Sequence, residues 1–283
     1  MENKTKIVAV AGKGGVGKTS LAGAIVKELV RKYPDKKILA IDADPAVGLS
    51  TVLNIEVKKT IDDIRKEVIS TVEDGDVKSA MELLGDAKYE IYDAISEQDG
   101  YAFIAIGRPE SAGCYCKINT YLKEVITILS SNFDYVVIDG EAGIEQINRR
   151  VMEKVTHLLL VTDASKKGCE VIKTIKSVAD ELVMYEKVGV IANRIPSKEV
   201  VELMNVGDME IVAAILNDGN LAEYDIKGEN IFYLPENSGI VEGAKTALEH
   251  MGMLAFRPND FCSEEIMKRL EMKNERFKTF ILF

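Results

Sequence analysis

Two thiols stand one residue apart in "RPESAGCYCKINTYL", Cys114 and Cys116, in a chain with four cysteines in all, the others being Cys169 and Cys262. In an extended segment residues i and i+2 point to one side, so both sulfurs can face a single soft metal ion. Two thiolates fill half of a tetrahedral site. The other half could come from Cys169, Cys262, His157 or His250, or from the same pair on a second copy related by a two-fold axis. A disulfide inside so small a ring is strained. Without a secretory leader in the sequence, a close pair points to metal or redox chemistry rather than to a disulfide framework. Nickel, zinc and an iron-sulfur cluster all suit such ligands.

The second chemical signal is "GKGGVGKTS" near the start of the chain. It satisfies the phosphate-binding pattern GxxxxGK[ST] with Gly12, Gly17, Lys18 and Thr19 in register. Glycines at 12, 14, 15 and 17 let the backbone wrap closely around phosphates, with the amides from Lys13 through Val16 and on to Ser20 available to point inward. Lys18 would neutralise β- and γ-phosphate oxygens, and the Thr19 hydroxyl would bind Mg²⁺.

These residues need a frame. "KIVAVAG" reads as a strand, and Leu21, Ile25, Leu29 and Val30 after the loop fall at helical spacing. The runs "KKILAIDADP", "YAFIAIG", "FDYVVIDGEAG", "HLLLVTDAS" and "VGVIANRI" are continuously apolar, as in parallel strands buried on both faces, and helical patterns separate them. Between Lys58 and Gln98 the chain is charged, with Ile61, Ile64, Val68 and Val72 on one helical face. The expected fold is an α/β domain, a mostly parallel sheet flanked by helices, over residues 1–250, followed by a helical appendage over 251–283.

Charge and hydropathy narrow the function. The formal net charge of −10 disfavours sequence-independent binding to nucleic acid. No apolar run reaches membrane-spanning length, and the reading is a soluble, cytoplasmic protein. Near the end, Ile266, Leu270, Phe277 and Ile281 share a helical face beside Lys268, Arg269, Lys273 and Arg276; a docked terminal helix is expected there rather than a membrane anchor.

With Lys13 inside the glycine loop, the sequence resembles the deviant P-loop ATPases, the family of MinD, ParA and the nitrogenase iron protein. The resemblance implies that Lys13 reaches the phosphates of a partner in a nucleotide-sandwich homodimer. It places the first switch at "AIDADP", with Asp42 at the strand end and Asp44 orienting the attacking water. "VVIDGEAGIE" resembles the second switch, with Asp139 acting on Mg²⁺ through water and Gly143 sensing the γ-phosphate. Asn193 in "VIANRI" matches the asparagine that reads adenine, which favours ATP. By the same resemblance Lys13, Lys18 and Asp44 carry hydrolysis.

The position of "CYC" between "YAFIAIG" and the second switch is similar to that of the CooC group within this family. That likeness implies a transition metal, nickel or zinc, bound between protomers for insertion into a client such as carbon monoxide dehydrogenase. An iron-sulfur reductase and a spatial organiser of the MinD or ParA kind are the other readings; the organiser gives Cys114 and Cys116 no task.

Overall fold

The computed structural model describes residues 4–44, 46–73, 89–107, 116–140, 151 and 154–254, without the side chains of 72–73 and 116–119. Its first element, β1 (Lys6–Gly12), leads through the glycine loop into α1 (Lys18–Lys32). There follow β2 (Ile38–Asp42), the short α2 (Gly48–Val52), α3 (Ile61–Glu73), β3 (Ser96–Gln98) and β4 (Tyr101–Ala105). The chain continues with α4 (Cys116–Ser130), β5 (Tyr135–Asp139), β6 (His157–Thr162), α5 (Lys166–Leu182) and β7 (Lys187–Ile195). Last come β8 (Ile211–Leu216), α6 (Gly219–Lys227) and α7 (Gly239–His250).

The strands form one eight-stranded sheet in the order β3-β4-β2-β5-β1-β6-β7-β8. Every pairing is parallel except the hairpin of β3 with β4. Strand alternation divides the interior in two. Ala9 and Ala11 of β1 join the core under α3, α4 and α5, whereas Val8 and Val10 join the core under α1, α2 and α7. Both faces are therefore covered, which explains why these strands read as unbroken apolar runs.

Local chemistry sets the boundaries. Thr60 and Asp63 form a reciprocal cap at the start of α3: the Thr60 amide donates to Asp63 Oδ2 at 2.9 Å and the Asp63 amide to Thr60 Oγ1 at 3.2 Å. Ile61, Ile64 and Val68 of that helix are buried, on the face expected from their spacing. The turn between β3 and β4 uses Gly100 at φ 83, where an added Cβ would come within 2.6 Å of Val30. Ser165 opens α5 by accepting from the Gly168 amide at 3.0 Å.

Met251, Met253 and Leu254 are buried in the core beneath α1, and the expected appendage beyond them, residues 255–283, lies outside the described residues. No helix among the described residues is long and apolar enough to cross a membrane.

Candidate functional site

Four strand ends converge at the carboxyl edge of the sheet. The β1 register sets Val10 beside Asp139 of β5 and Gly12 beside Val161 of β6, while β2 sets Asp42 directly beside Asp139. The glycine loop thus opens between a strand carrying Asp139 and a strand leading to Asp163.

Gly12 is dictated by close packing: a Cβ there would lie 2.1 Å from the Val161 carbonyl oxygen. Gly15 at φ 76 and Gly17 at φ 86 occupy the left-handed region, where other residues are strained. Gly14 is different, with no atom within 4 Å of its would-be Cβ. Lys18, buried, donates from Nζ to the Lys13 carbonyl at 3.1 Å across the loop. Lys13 Nζ lies 2.5 Å from Asp163 Oδ2.

Asp42 and Asp139 are both fully buried. Asp42 is well served by backbone: its Oδ2 accepts from the Leu49 amide at 2.8 Å and the Ser50 amide at 3.4 Å, and its Oδ1 accepts from the Asp44 amide at 3.2 Å. Burial nevertheless pushes it up to about 6, those amides offsetting part of the effect. Asp44 Oδ1 accepts from the Ala46 amide at 2.8 Å, folding the start of the switch into a tight turn. Val47, at the head of α2, stands at φ 52, a strained position for a β-branched residue.

Asp139 is the exception to hydrogen-bond satisfaction. Burial, and after it the neighbouring Asp42 carboxylate, push it up to about 7, with the Thr19 hydroxyl and the Lys18 ammonium pulling the other way. Neither of its carboxylate oxygens makes a hydrogen bond of ordinary geometry among the described residues. Buried carboxylate oxygens in that state are suited to receive a cation. Mg²⁺ fits: it takes one or two carboxylates and completes its shell with water and phosphate. Among the described residues no group of three or more His, Cys, Asp or Glu side chains could hold a metal without such help. Thr19 and Asp139 are the residues that would hold it, and the ion would neutralise phosphate charge.

Asn193, 2 % exposed at the end of β7, donates from Nδ2 to the Val16 carbonyl at 2.7 Å and accepts from the Arg194 amide at 2.9 Å. Two residues of this edge carried no signal in the sequence reading, Asp163 and Arg194. Arg194 Nη1 donates to the Gly15 carbonyl at 2.9 Å. Each meets the loop across more than 140 positions of sequence, so nothing local marks them except a strand end.

Gly143 and Cys114 lie outside the described residues, and Cys116 is described only as the first residue of α4. Cys262 also lies outside the described residues; the remaining candidates, Cys169, His157 and His250, are engaged elsewhere. Cys169 is buried in the core with its thiol pushed up by burial. His157 sits at the amino edge of β6, its Nε2 on the Met251 carbonyl at 3.1 Å, and His250 Nδ1 lies 3.0 Å from the Thr246 carbonyl.

A parallel sheet with this loop between β1 and α1, and a buried carboxylate set against Thr19, defines a P-loop nucleotide-binding site. The sequence profile of the anion-transporting ATPase family matches residues 5–143. An uncharacterized ATP-binding protein of Methanocaldococcus jannaschii is 37% identical over 248 residues, covering 86% of this chain and 97% of that protein. The carbon monoxide dehydrogenase accessory protein CooC of Rhodospirillum rubrum is 25% identical over 210 residues, 66% of this chain and 78% of that one. Among solved structures, the septum site-determining protein MinD with Mg-ADP from Pyrococcus horikoshii has a TM-score of 0.62 at 22% identity, covering 89% of this chain and 97% of its own. The chain belongs to the family of ATP-binding proteins that this Methanocaldococcus relative represents, carries the anion-transporting ATPase profile over residues 5–143, and shares the fold of MinD.

Proposed function

We propose that this ATPase is a homodimeric metal-insertion factor: ATP closes two protomers so that Cys114 and Cys116 of each hold one transition-metal ion, nickel in the first instance, for delivery to carbon monoxide dehydrogenase or a related metalloenzyme. One observation carries the reading. The cysteine segment leaves the sheet after Gly107, just beyond β4, and β4 runs beside β2, where Ala105 pairs with Asp42. The Ile106 amide donates to the Asp42 carbonyl at 2.8 Å, and the Asp62 amide donates to the Ile106 carbonyl at 2.9 Å. Cys114 follows Gly107 by seven residues in sequence, and in this reading a nucleotide-driven shift of the first switch is passed to the thiols along that stretch of chain. The similarity to a carbon monoxide dehydrogenase accessory protein supports the same client.

In this reading Lys18 binds phosphate, Asp44 orients water, Lys13 crosses to the partner, Gly143 senses the γ-phosphate and Asn193 reads adenine. ATP must favour the closed state differentially, since equal binding to both states would shift nothing. Separation after hydrolysis leaves each protomer with two thiolates, an incomplete tetrahedral set from which a client can take the ion.

The test is anaerobic purification, then metal analysis and a visible spectrum with and without a nonhydrolysable ATP analogue. One metal per dimer is expected, lost in the Cys114→Ser, Cys116→Ser double variant, which still binds ATP. Metal at one per protomer that survives in the double variant overturns the site. A visibly absorbing, reducible cluster on these cysteines moves the protein to electron transfer. Absence of metal together with ATP-dependent flotation on anionic liposomes moves it to the spatial organisers.

A further inference from the structure

The bulge at the end of β7 presents two side chains to the glycine loop. Pairing of β7 with β8 is regular at Ala192 and resumes at Ile195 with a shifted register, so Asn193 and Arg194 stand where the ladder is interrupted. Arg194 adopts φ 56, a left-handed conformation unfavourable for a residue with a side chain. Bulges beside a site commonly re-aim side chains in this way. Here the consequence is concrete: the exposed Arg194 reaches back and donates from Nη1 to the Gly15 carbonyl at 2.9 Å, while Asn193 Nδ2 donates to the Val16 carbonyl at 2.7 Å.

A peptide unit is planar and trans, so its carbonyl and its amide point in opposite directions. The Gly15 carbonyl shares a plane with the Val16 amide, and the Val16 carbonyl shares one with the Gly17 amide. Holding two successive oxygens toward β7 therefore aims two successive N–H groups away from it, across the loop. Successive inward amides are what an anion-binding nest requires. Gly17 completes the arrangement, since a Cβ there would come within 2.8 Å of Asn193 Nδ2 and 3.8 Å of the Arg194 guanidinium.

We propose that Arg194 is a positioning residue for ATP hydrolysis: from the strained β7 bulge it clamps the Gly15 peptide and so pre-orients the Val16 amide for phosphate. It acts through the loop backbone, and its work is done on the polyphosphate rather than on the base. The strained backbone and the directed hydrogen bond are two independent observations that converge on one carbonyl.

Inorganic tripolyphosphate separates the phosphate from the nucleoside. Titration calorimetry of the full chain with Mg-ATP and with Mg-tripolyphosphate is compared for wild type, Arg194→Ala and Arg194→Gly. Loss of one charge-assisted hydrogen bond that orders the loop should weaken both ligands in parallel, by about tenfold. In turnover the loss should fall on KM, with kcat changing little. Arg194→Gly is the decisive variant, because glycine relieves the left-handed strain: its Tm should equal or exceed that of wild type while its tripolyphosphate affinity still falls. ATP affinity that falls with tripolyphosphate affinity unchanged would place Arg194 against the base or ribose and overturn the proposal. Unchanged affinity for both ligands in a folded Arg194→Gly protein would overturn it as well.

Discussion

Lys13 Nζ and Asp163 Oδ2 are 2.5 Å apart within a single chain, one on the glycine loop and the other just beyond β6. The same carboxylate accepts on Oδ1 from the Ser165 amide at 3.1 Å and its hydroxyl at 2.5 Å, so Asp163 is itself fixed. The pair is partly exposed, at 26% for Lys13 and 31% for Asp163, and ion pairs in such settings contribute no more than about 1 kcal/mol. Lys13, which reaches the partner protomer in the dimer proposed above, is thereby held at home by a latch weak enough to release. Asp163→Asn should lower the protein concentration needed for ATP-dependent dimerisation, by up to about fivefold. Sedimentation with a nonhydrolysable analogue measures this; weaker dimerisation than wild type would mean that Asp163 aims Lys13 instead of restraining it. Lys13→Ala should fail to dimerise.

The glycines of the loop separate by cause. Gly12→Ala drives a Cβ into the Val161 backbone and should destabilise the fold by more than about 3 kcal/mol, visible as loss of cooperative thermal unfolding. Gly14→Ala meets open space and should leave Tm close to wild type, so any loss of ATP affinity reports close approach of phosphate at that position. A large fall in Tm for Gly14→Ala would contradict this division.

Hydrolysis and binding should also separate. Lys18→Ala is expected to weaken ATP binding along with turnover, while Asp44→Ala keeps affinity and loses kcat, by about 10²-fold or more if it orients the attacking water. Equal loss of affinity in both variants would remove the distinction. Calorimetry and phosphate release read the two quantities separately.

Acid sensitivity should arise at the other edge of the sheet. His157 is lowered from 6.5 to about 4, chiefly by burial and further by the Lys187 and Lys6 ammonium groups, against the opposing pull of the Met251 carbonyl on its Nε2. A histidine whose folded value is depressed binds more protons when unfolded, so stability contributed at neutral pH is lost as pH falls through 6.5 toward 4. Between pH 7 and 5 the loss should be on the order of 1–2 kcal/mol, and His157→Gln should flatten that part of the Tm profile. An identical profile in the variant would assign the acid sensitivity to other groups.

Much of this was legible in the sequence because its physics is local or periodic. Gly12 through Ser20 announce themselves by spacing, and the six apolar runs are strands because both of their faces are buried. Two strands escaped notice. "SEQ" at β3 is polar and exists only through the turn at Gly100, and "IVAAIL" at β8 gives no more signal than a short apolar helix would. Asp163 and Arg194 were invisible for a different reason: their partners are set by strand order, which puts β6 beside β1 and a bulge of β7 over the loop. The lone carboxylate of Asp139 was readable as a site residue, whereas its unsatisfied state depends on the register that seats it beside Asp42.

Asp218 binds two helices with one carboxylate. Its Oδ1 accepts from the Asn220 and Leu221 amides at the head of α6, and its Oδ2 accepts from the Ser238 hydroxyl and the Ile240 amide at the head of α7. Neither helix can fray from its first turn without disturbing the anchor of the other. The first turns of α6 and α7 should therefore exchange their amide hydrogens with deuterium as one cooperative unit, and a single substitution at this position would split that unit in two.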